Sequence, residues 1–428
     1  MSLKSNVHAN ERWKFSQLKV NTKSRPFQKA LQRHEVVKAM EGVTYTTQGT
    51  NAVESLVIKT NMAEANVVQL EEVDTVHTVK TVLPIVENVN FTLTFPEIIP
   101  ENQLLHVHPW VNALFSGESP KRVPLAGRLK HFLKAWQILT KDPKVLSIVK
   151  GYEIPFMAVP HQKKTPHSTQ TSSCQAELIN KEILEMLGKG AIQKTNHSQG
   201  EFLSNIFLVQ KKDGGQRPVI NLKNLNKYVP YQHFKMEGLH CLKYLLQQGD
   251  WMCKIDLKDA YFTIPLSEKS QKYIRFRWEG TLYEFLCLCF GLGPAPRIFT
   301  KLLKIPISLL RRINIRLVIF LDDVLLMAQT IEELLMSRDT LIFLFQKLGF
   351  VINLKKSVFQ PTQQIEYLGL IINSQTMTLS LTQEKINKVI SMCQNLLTNL
   401  STTILELTKI KGVLSSTVQT VLLARLQF

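Results

Sequence analysis

RLVIFLDDVLLMA, residues 316–328, is the stretch on which the reading of this chain turns. Two apolar runs meet at Asp322 and Asp323, the pattern of two strands joined by a tight turn. Such flanks bury the pair. Like charges this close repel, and an uncompensated buried charge is costly. A divalent cation resolves the conflict, and hard carboxylate oxygens suit Mg²⁺. On the pair alone, a solvent-exposed acidic turn is an equal reading, because Asp is common in turns. Working outward, WMCKID (251–256) is another apolar run, and it ends in Asp256. Three carboxylates from two adjacent strands could hold two metals about 3.5–4 Å apart. The turn LKDAYF (257–262) would bring Asp256 near Tyr261.

Cations come from the segment NIFLVQKKDGGQRPVINL (205–222). Asp-Gly-Gly between extended runs is a hairpin signal, and Pro218 points to a sheet edge. Lys211 and Lys212 precede the turn and Arg217 follows it. The Arg fork and the Lys point charge both match phosphate; a solvated hairpin tip is the bland alternative. FGLGPAP (290–296) can bring backbone close to a ligand, since Gly291 and Gly293 lack side chains. Carboxylates, metals and phosphate-matching cations together suit in-line phosphoryl transfer, where catalysis is positioning and charge neutralisation.

The 428 residues carry 44 % hydrophobic and 20 % charged residues, enough to bury a large core in two or three domains. The formal charge of +18 is unevenly spread: residues 1–120 hold 11 Lys/Arg against 12 Asp/Glu, leaving 41 against 22 for residues 121–428. A body this basic favours a polyanionic partner. No window suggests a membrane span, the start lacks a secretory signal, and the six cysteines fit neither a disulfide framework nor a zinc pattern. The expectation is an intracellular protein, in cytoplasm or nucleus, with reduced core thiols.

Residues 1–120 show no strong periodicity and are expected to be largely disordered. Residues 125–150 read as helices broken at Asp142-Pro143, and 161–173 as a polar boundary. AELINKEILEML is a helix ending near Gly188 or Gly190. PAPRIFTKLLKIPISLL is a helix expected to kink or end before Pro306. A helix from Ile331 to Leu348 starts at the box Thr330-x-x-Glu333, and Thr403-x-x-Glu406 starts another. IEYLGLIINSQTMTLSL is a further hairpin turning near Asn373. This mixture gives an α+β class with a palm built on an antiparallel sheet.

The ordered segments KKDGGQRPVINLKNLN, KIDLKDAYFTIPL, FGLGPAPRIF, FLDD, LGFVINLKKS and EYLGLII resemble the successive motifs of a retroelement reverse transcriptase. The match spans roughly residues 176–380. RPVINLKNLN, the stretch 127–156 and the tail 409–428 resemble the DIRS-type retrotransposons, whose integrase is a tyrosine recombinase. The resemblance implies a right-hand polymerase fold, with residues 176–380 as fingers and palm. It also implies a partial thumb over 381–428, an N-terminal region over 1–120 and a helical linker over 121–175.

It further implies RNA-directed DNA polymerase activity with two Mg²⁺ ions (or Mn²⁺), an RNA template, a DNA primer and dNTP. Ribonuclease H and recombinase would be encoded separately or lost. Asp256, Asp322 and Asp323 would bind the metals, with the Leu257 carbonyl as a further ligand. Tyr261 would be the steric gate against a ribose 2′-hydroxyl. Lys212 and Arg217, with Lys211, would grip the triphosphate, and the backbone of Asp259 and Ala260 would contact phosphate. Phe290, Gly291 and Pro296 would frame base and template. Lys356 (or Lys355) would be the general acid for pyrophosphate, and Tyr367, Leu368 and Gly369 the primer grip. Two other readings stand beside this one: a truncated, catalytically silent nucleic-acid-binding relic, and a two-metal nuclease using the same carboxylates.

Overall fold

The computed structural model describes residues 19–21, 93–116, 122–166, 171–210, 216–398 and 401–417. Helix α1 (Ser173–Gly188) opens with a complete capping box, in which the Ser172 hydroxyl accepts from the Gln175 N–H and the Gln175 side chain accepts from the Ser172 N–H. It leads into a hairpin of β1 (Ile206–Gln210) and β2 (Gln216–Ile220), antiparallel with Ile206 opposite Ile220, as the Asp-Gly-Gly turn predicts. Behind it stands a four-stranded sheet in the order Ile192–Lys194, Thr281–Phe285, Arg275–Trp278, Leu203–Ser204. Together these form the fingers.

The palm is a second four-stranded sheet built from β3 (Trp251–Asp256), β4 (Arg316–Phe320), β5 (Asp323–Ala328) and β6 (Val358–Thr362), in the spatial order β6-β3-β5-β4, all antiparallel. Helix α2 (Ala295–Arg312) precedes β4, and helix α3 (Ile331–Lys347) follows β5. The central strands β3 and β5 are buried along most of their length, as both faces are covered. On one side α3 packs on β5 and β3 through residues such as Leu334, Leu341 and Phe345. On the other, Met252, Val318, Leu325 and Met327 pack with Ile365, Tyr367 and Ile372 of a small three-stranded sheet. That sheet is β7 (Gln364–Tyr367), β8 (Leu370–Asn373) and β9 (Thr378–Leu381). Helices α4 (Gln383–Thr398) and α5 (Ile404–Ser415) follow it, and the Thr403–Glu406 capping box is present.

Two expectations change. Of the two outcomes expected at Pro306, the stop does not occur: helix α2 runs through to Arg312, because Leu302, Leu303, Ile307 and Leu310 on either side are all buried. That packing outweighs the lost hydrogen bond. Residues 93–116, inside the region expected to lack structure, are laid along α3. Ile99 exchanges two 2.9 Å hydrogen bonds with the Gln346 side chain, and the N–H groups of His106 and His108 donate to Asp339 and Thr340. The helices after them, split at Asp142-Pro143 as read, join the same core, where Trp136 donates to the Leu348 carbonyl at 2.9 Å. Gly349 ends α3 at φ +94°; a Cβ there would stand 2.7 Å from the Phe132 ring. The expectation for residues 1–92 lies outside the described residues, apart from Lys19–Asn21, which pair with Ser401–Thr403. Cys253, Cys287 and Cys289 are buried and unbridged. No helix among the described residues is long and apolar enough to cross a membrane.

Candidate active site

The carboxylates sit where three strand ends meet. Asp323 begins β5 and pairs with Phe320 on one side and Asp256 on the other, so Leu321 and Asp322 form a two-residue turn. The Leu257 N–H donates to the Asp322 carbonyl at 2.9 Å, tying the end of β3 to that turn. The Asp256 N–H donates to Ser357 Oγ at 3.0 Å, and the Asn353 N–H donates to the Asp256 carbonyl at 2.8 Å. The Asn353 side chain favours the ionised form of the Asp256 carboxylate, opposing the effect of burial. Asp256 is only 8 % exposed.

Burial raises all three acids above the ordinary carboxylate range. Asp323 is pushed up to about 6, by desolvation first and then by the charge of Asp322. Asp256 and Asp322 rise chiefly by burial. Lys356 pulls all three back, and Lys254 does so for Asp256 and Asp323. Desolvated, mutually repelling hard oxygen donors are the donor set a divalent cation stabilises. The backbone assembles them, but among the described residues no three His, Cys, Asp or Glu side chains close around one point.

Next to the acids lies an aromatic wall. The Tyr261 ring stands 5.0 Å from Phe290 and 5.5 Å from Phe299, and its hydroxyl is pushed up to about 12 by burial and by Asp322. Asp259 adopts φ +46°, and its carboxylate meets Lys189 Nζ at 3.0 Å. Lys189 also pairs with Glu185 at 2.6 Å, so the turn before Tyr261 is fastened to the end of α1. Ala260 lies buried in the following short helix. Pro296 is in the first turn of α2, where its carbonyl accepts from Thr300 at 2.8 Å. Gly291 takes φ +94°, in the loop just before α2.

The three grip candidates separate. Leu368 and Gly369 form the tip of the β7–β8 hairpin, while Tyr367 is fully buried below it. Its hydroxyl lies 3.3 Å from the Val318 carbonyl and 3.2 Å from the Asp323 carbonyl, and burial holds the phenol protonated. Strand alternation sends Ile365 and Tyr367 inward and Glu366 outward, so Tyr367 supports the tip from inside. Lys211 and Lys212 lie outside the described residues. Arg217 falls in β2 opposite Val209, and its side chain too lies outside them.

The sequence reading passed over Lys254, Asn353, Ser357 and Lys189. Lys254 had a signal: two residues before Asp256 in a strand, it shares that residue's face. The others had none, because they reach the site from distant elements.

Residues 209–372 match the family model described as reverse transcriptase (RNA-dependent DNA polymerase). This stretch is a reverse transcriptase domain of the kind carried by retroelement polyproteins. Among curated relatives, the polyprotein of Cassava vein mosaic virus is 31 % identical over 156 residues, 35 % of this chain and 24 % of its own length. The transposon Tf2-3 polyprotein of Schizosaccharomyces pombe is 24 % identical over 256 residues, 60 % of this chain and 19 % of its own. The chain thus spans about a quarter or less of these relatives. A solved foamy viral protease-reverse transcriptase in complex with dsDNA gives a TM-score of 0.52 at 20 % identity, covering 72 % of this chain and 56 % of that one. One in complex with an RNA/DNA hybrid gives 0.51 at 19 %, covering 76 % and 41 %. These likenesses establish the right-hand polymerase fold.

Proposed function

We propose that this chain is the RNA-directed DNA polymerase of a retrotransposon, extending a DNA primer on an RNA template with dNTP. The observation that carries the reading is the register of the palm: Asp256 opposite Asp323, with Asp322 at the turn between. When bound there, two Mg²⁺ ions (or Mn²⁺) would supply a lowered pKa for the primer 3′-hydroxyl and charge neutralisation for the leaving pyrophosphate. Asp256, Asp322 and Asp323 would hold them, with Leu257 beside them. Lys356, already close enough to lower all three acids, is suited to protonate pyrophosphate. Tyr261, backed by Phe290 and Phe299, is suited to fill the space a ribose 2′-hydroxyl needs. Lys211, Lys212 and Arg217 would hold the triphosphate, and the Leu368-Gly369 tip the primer.

The finer placement among DIRS-type elements rests on RPVINLKNLN, the stretch 127–156 and the tail 409–428.

The test is primer extension on a primed RNA template with Mg²⁺ and dNTPs. Asp322→Asn should abolish extension, and parent-level extension by that variant would overturn the metal assignment. Tyr261→Val should admit ribonucleotides, and unchanged selectivity would remove the gate. Salt-sensitive nucleic-acid binding without any extension would favour a silent relic.

A further inference from the structure

Asn226 follows the fingertip strand β2, in the short 3₁₀ helix Leu225–Tyr228. Its side-chain amide bridges two backbone groups of the glycine loop. Nδ2 donates to the Gly291 carbonyl at 2.8 Å, and the Gly293 N–H donates to Oδ1 at 2.8 Å. One planar amide therefore satisfies an acceptor and a donor two residues apart. The packing around it leaves little slack. A Cβ on Gly293 would stand 3.3 Å from Asn226 Oδ1, and a Cβ on Gly291 would stand 3.0 Å from the Ile220 carbonyl at the end of β2. Two glycines and one asparagine thus fasten the loop to the base of the fingertip hairpin. The first residue of that loop is Phe290, roughly half exposed, with its ring 5.0 Å from Tyr261.

We infer that Asn226 is a positioning residue for nucleotide selection: by holding the 290–293 loop against β2, it sets how Phe290 packs on Tyr261, the ring against which the sugar of an incoming nucleotide must fit. This deepens the polymerase reading and rests on it. The chemistry demands asparagine. Aspartate would turn an acceptor toward the Gly291 carbonyl, and glutamine would move the amide by a methylene. A fastening that served the fold alone would alter melting and leave selectivity untouched.

The test uses the full chain and the variants Asn226→Ala, Asn226→Asp, Phe290→Ala and the Asn226→Ala/Phe290→Ala pair. Each Asn226 variant should raise KM for dNTP about tenfold, with kcat within about threefold, and lower the preference for dNTP over rNTP about tenfold. The double variant should be no worse than Phe290→Ala, since Asn226 acts through that ring. Melting and primer–template retention identify variants that fail to fold, and the isosteric Asn226→Asp covers a poorly folding Asn226→Ala. Unchanged KM and selectivity in a folded variant would overturn the inference, as would additive losses in the double variant. Amide exchange at Gly293 separates this failure from that of the polymerase reading. Faster exchange in Asn226→Ala beside a parent that extends no primer sinks nucleotide selection and keeps the fastening. Unchanged exchange sinks the fastening itself.

Discussion

Two hairpins, one in the palm sheet and one in the small sheet packed on it, each turn on two residues, and both place a leucine first. Leu321 sits at φ +54° between β4 and β5, and Leu368 at φ +50° between β7 and β8. A left-handed backbone costs a side chain other than glycine roughly 1–2 kcal/mol. The second residue differs. Gly369 also has positive φ, the sign pattern of a type I′ turn, which Gly fills without strain. Asp322 keeps negative φ, and its carbonyl holds the Leu257 N–H while its carboxylate faces Asp323. One turn thus spends its second position on geometry and the other on chemistry. Tyr367 joins them, rising from the base of the second hairpin to the Asp323 carbonyl of the first.

The largest effect that would test this contrast is at Asp323. Asp323→Asn should lower single-turnover extension by at least about 10³-fold. It should also raise the melting temperature of the metal-free protein at pH 7.5, by removing a charge that folding buries. The sign follows from the titration. A folded pKa of about 6 lies above the ordinary 3.8, so the folded state holds its proton more tightly. Stability of the metal-free protein therefore falls as pH rises from about 4 to 6, and the loss is complete above that window. Metal binding runs the other way, because it needs the deprotonated acid, so extension should decline as pH falls below about 6. Melting curves with and without Mg²⁺ across this range check both. A metal-free protein equally stable at pH 4.5 and 7 would show that Asp323 is not desolvated as described.

Next in size is Tyr367→Phe. Removing the hydroxyl takes a donor from two buried carbonyls and should cost about 1–2 kcal/mol. Extension should fall several-fold if the hairpins work as a unit. A melting temperature equal to the parent's would show that the two tips are independent.

The smallest effect is at Leu368. Asparagine tolerates positive φ and should relieve about 1 kcal/mol of strain, while the half-buried leucine gives up a similar amount of burial. Leu368→Asn should therefore melt within about 0.5 kcal/mol of the parent, yet retain primer–template about fivefold less well. Unchanged retention would remove the tip from the primer grip.

Much of the architecture follows from local pattern. Alternation and turn residues mark β1–β2 and β4–β5, and Thr330 and Thr403 both accept the N–H of the residue three positions on. What escaped the pattern is of one kind. Ile99 meets Gln346 across 247 positions, Asp256 meets Ser357 across 101, and Asn226 meets Gly293 across 67. A single amide or hydroxyl reaching that far leaves no periodic trace. Pro306 is the converse case: a strong local breaker that long-range burial overrides.

Apolar runs and turn residues were enough to place carboxylates at strand ends, because side-chain period and turn chemistry act over a few neighbouring residues. The opposition of Asp256 to Asp323, the inward turn of Tyr367 and the Asn226 bridge needed the folded chain. Strand register is chosen by which faces the core can bury at once, and that choice is made among residues dozens of positions apart.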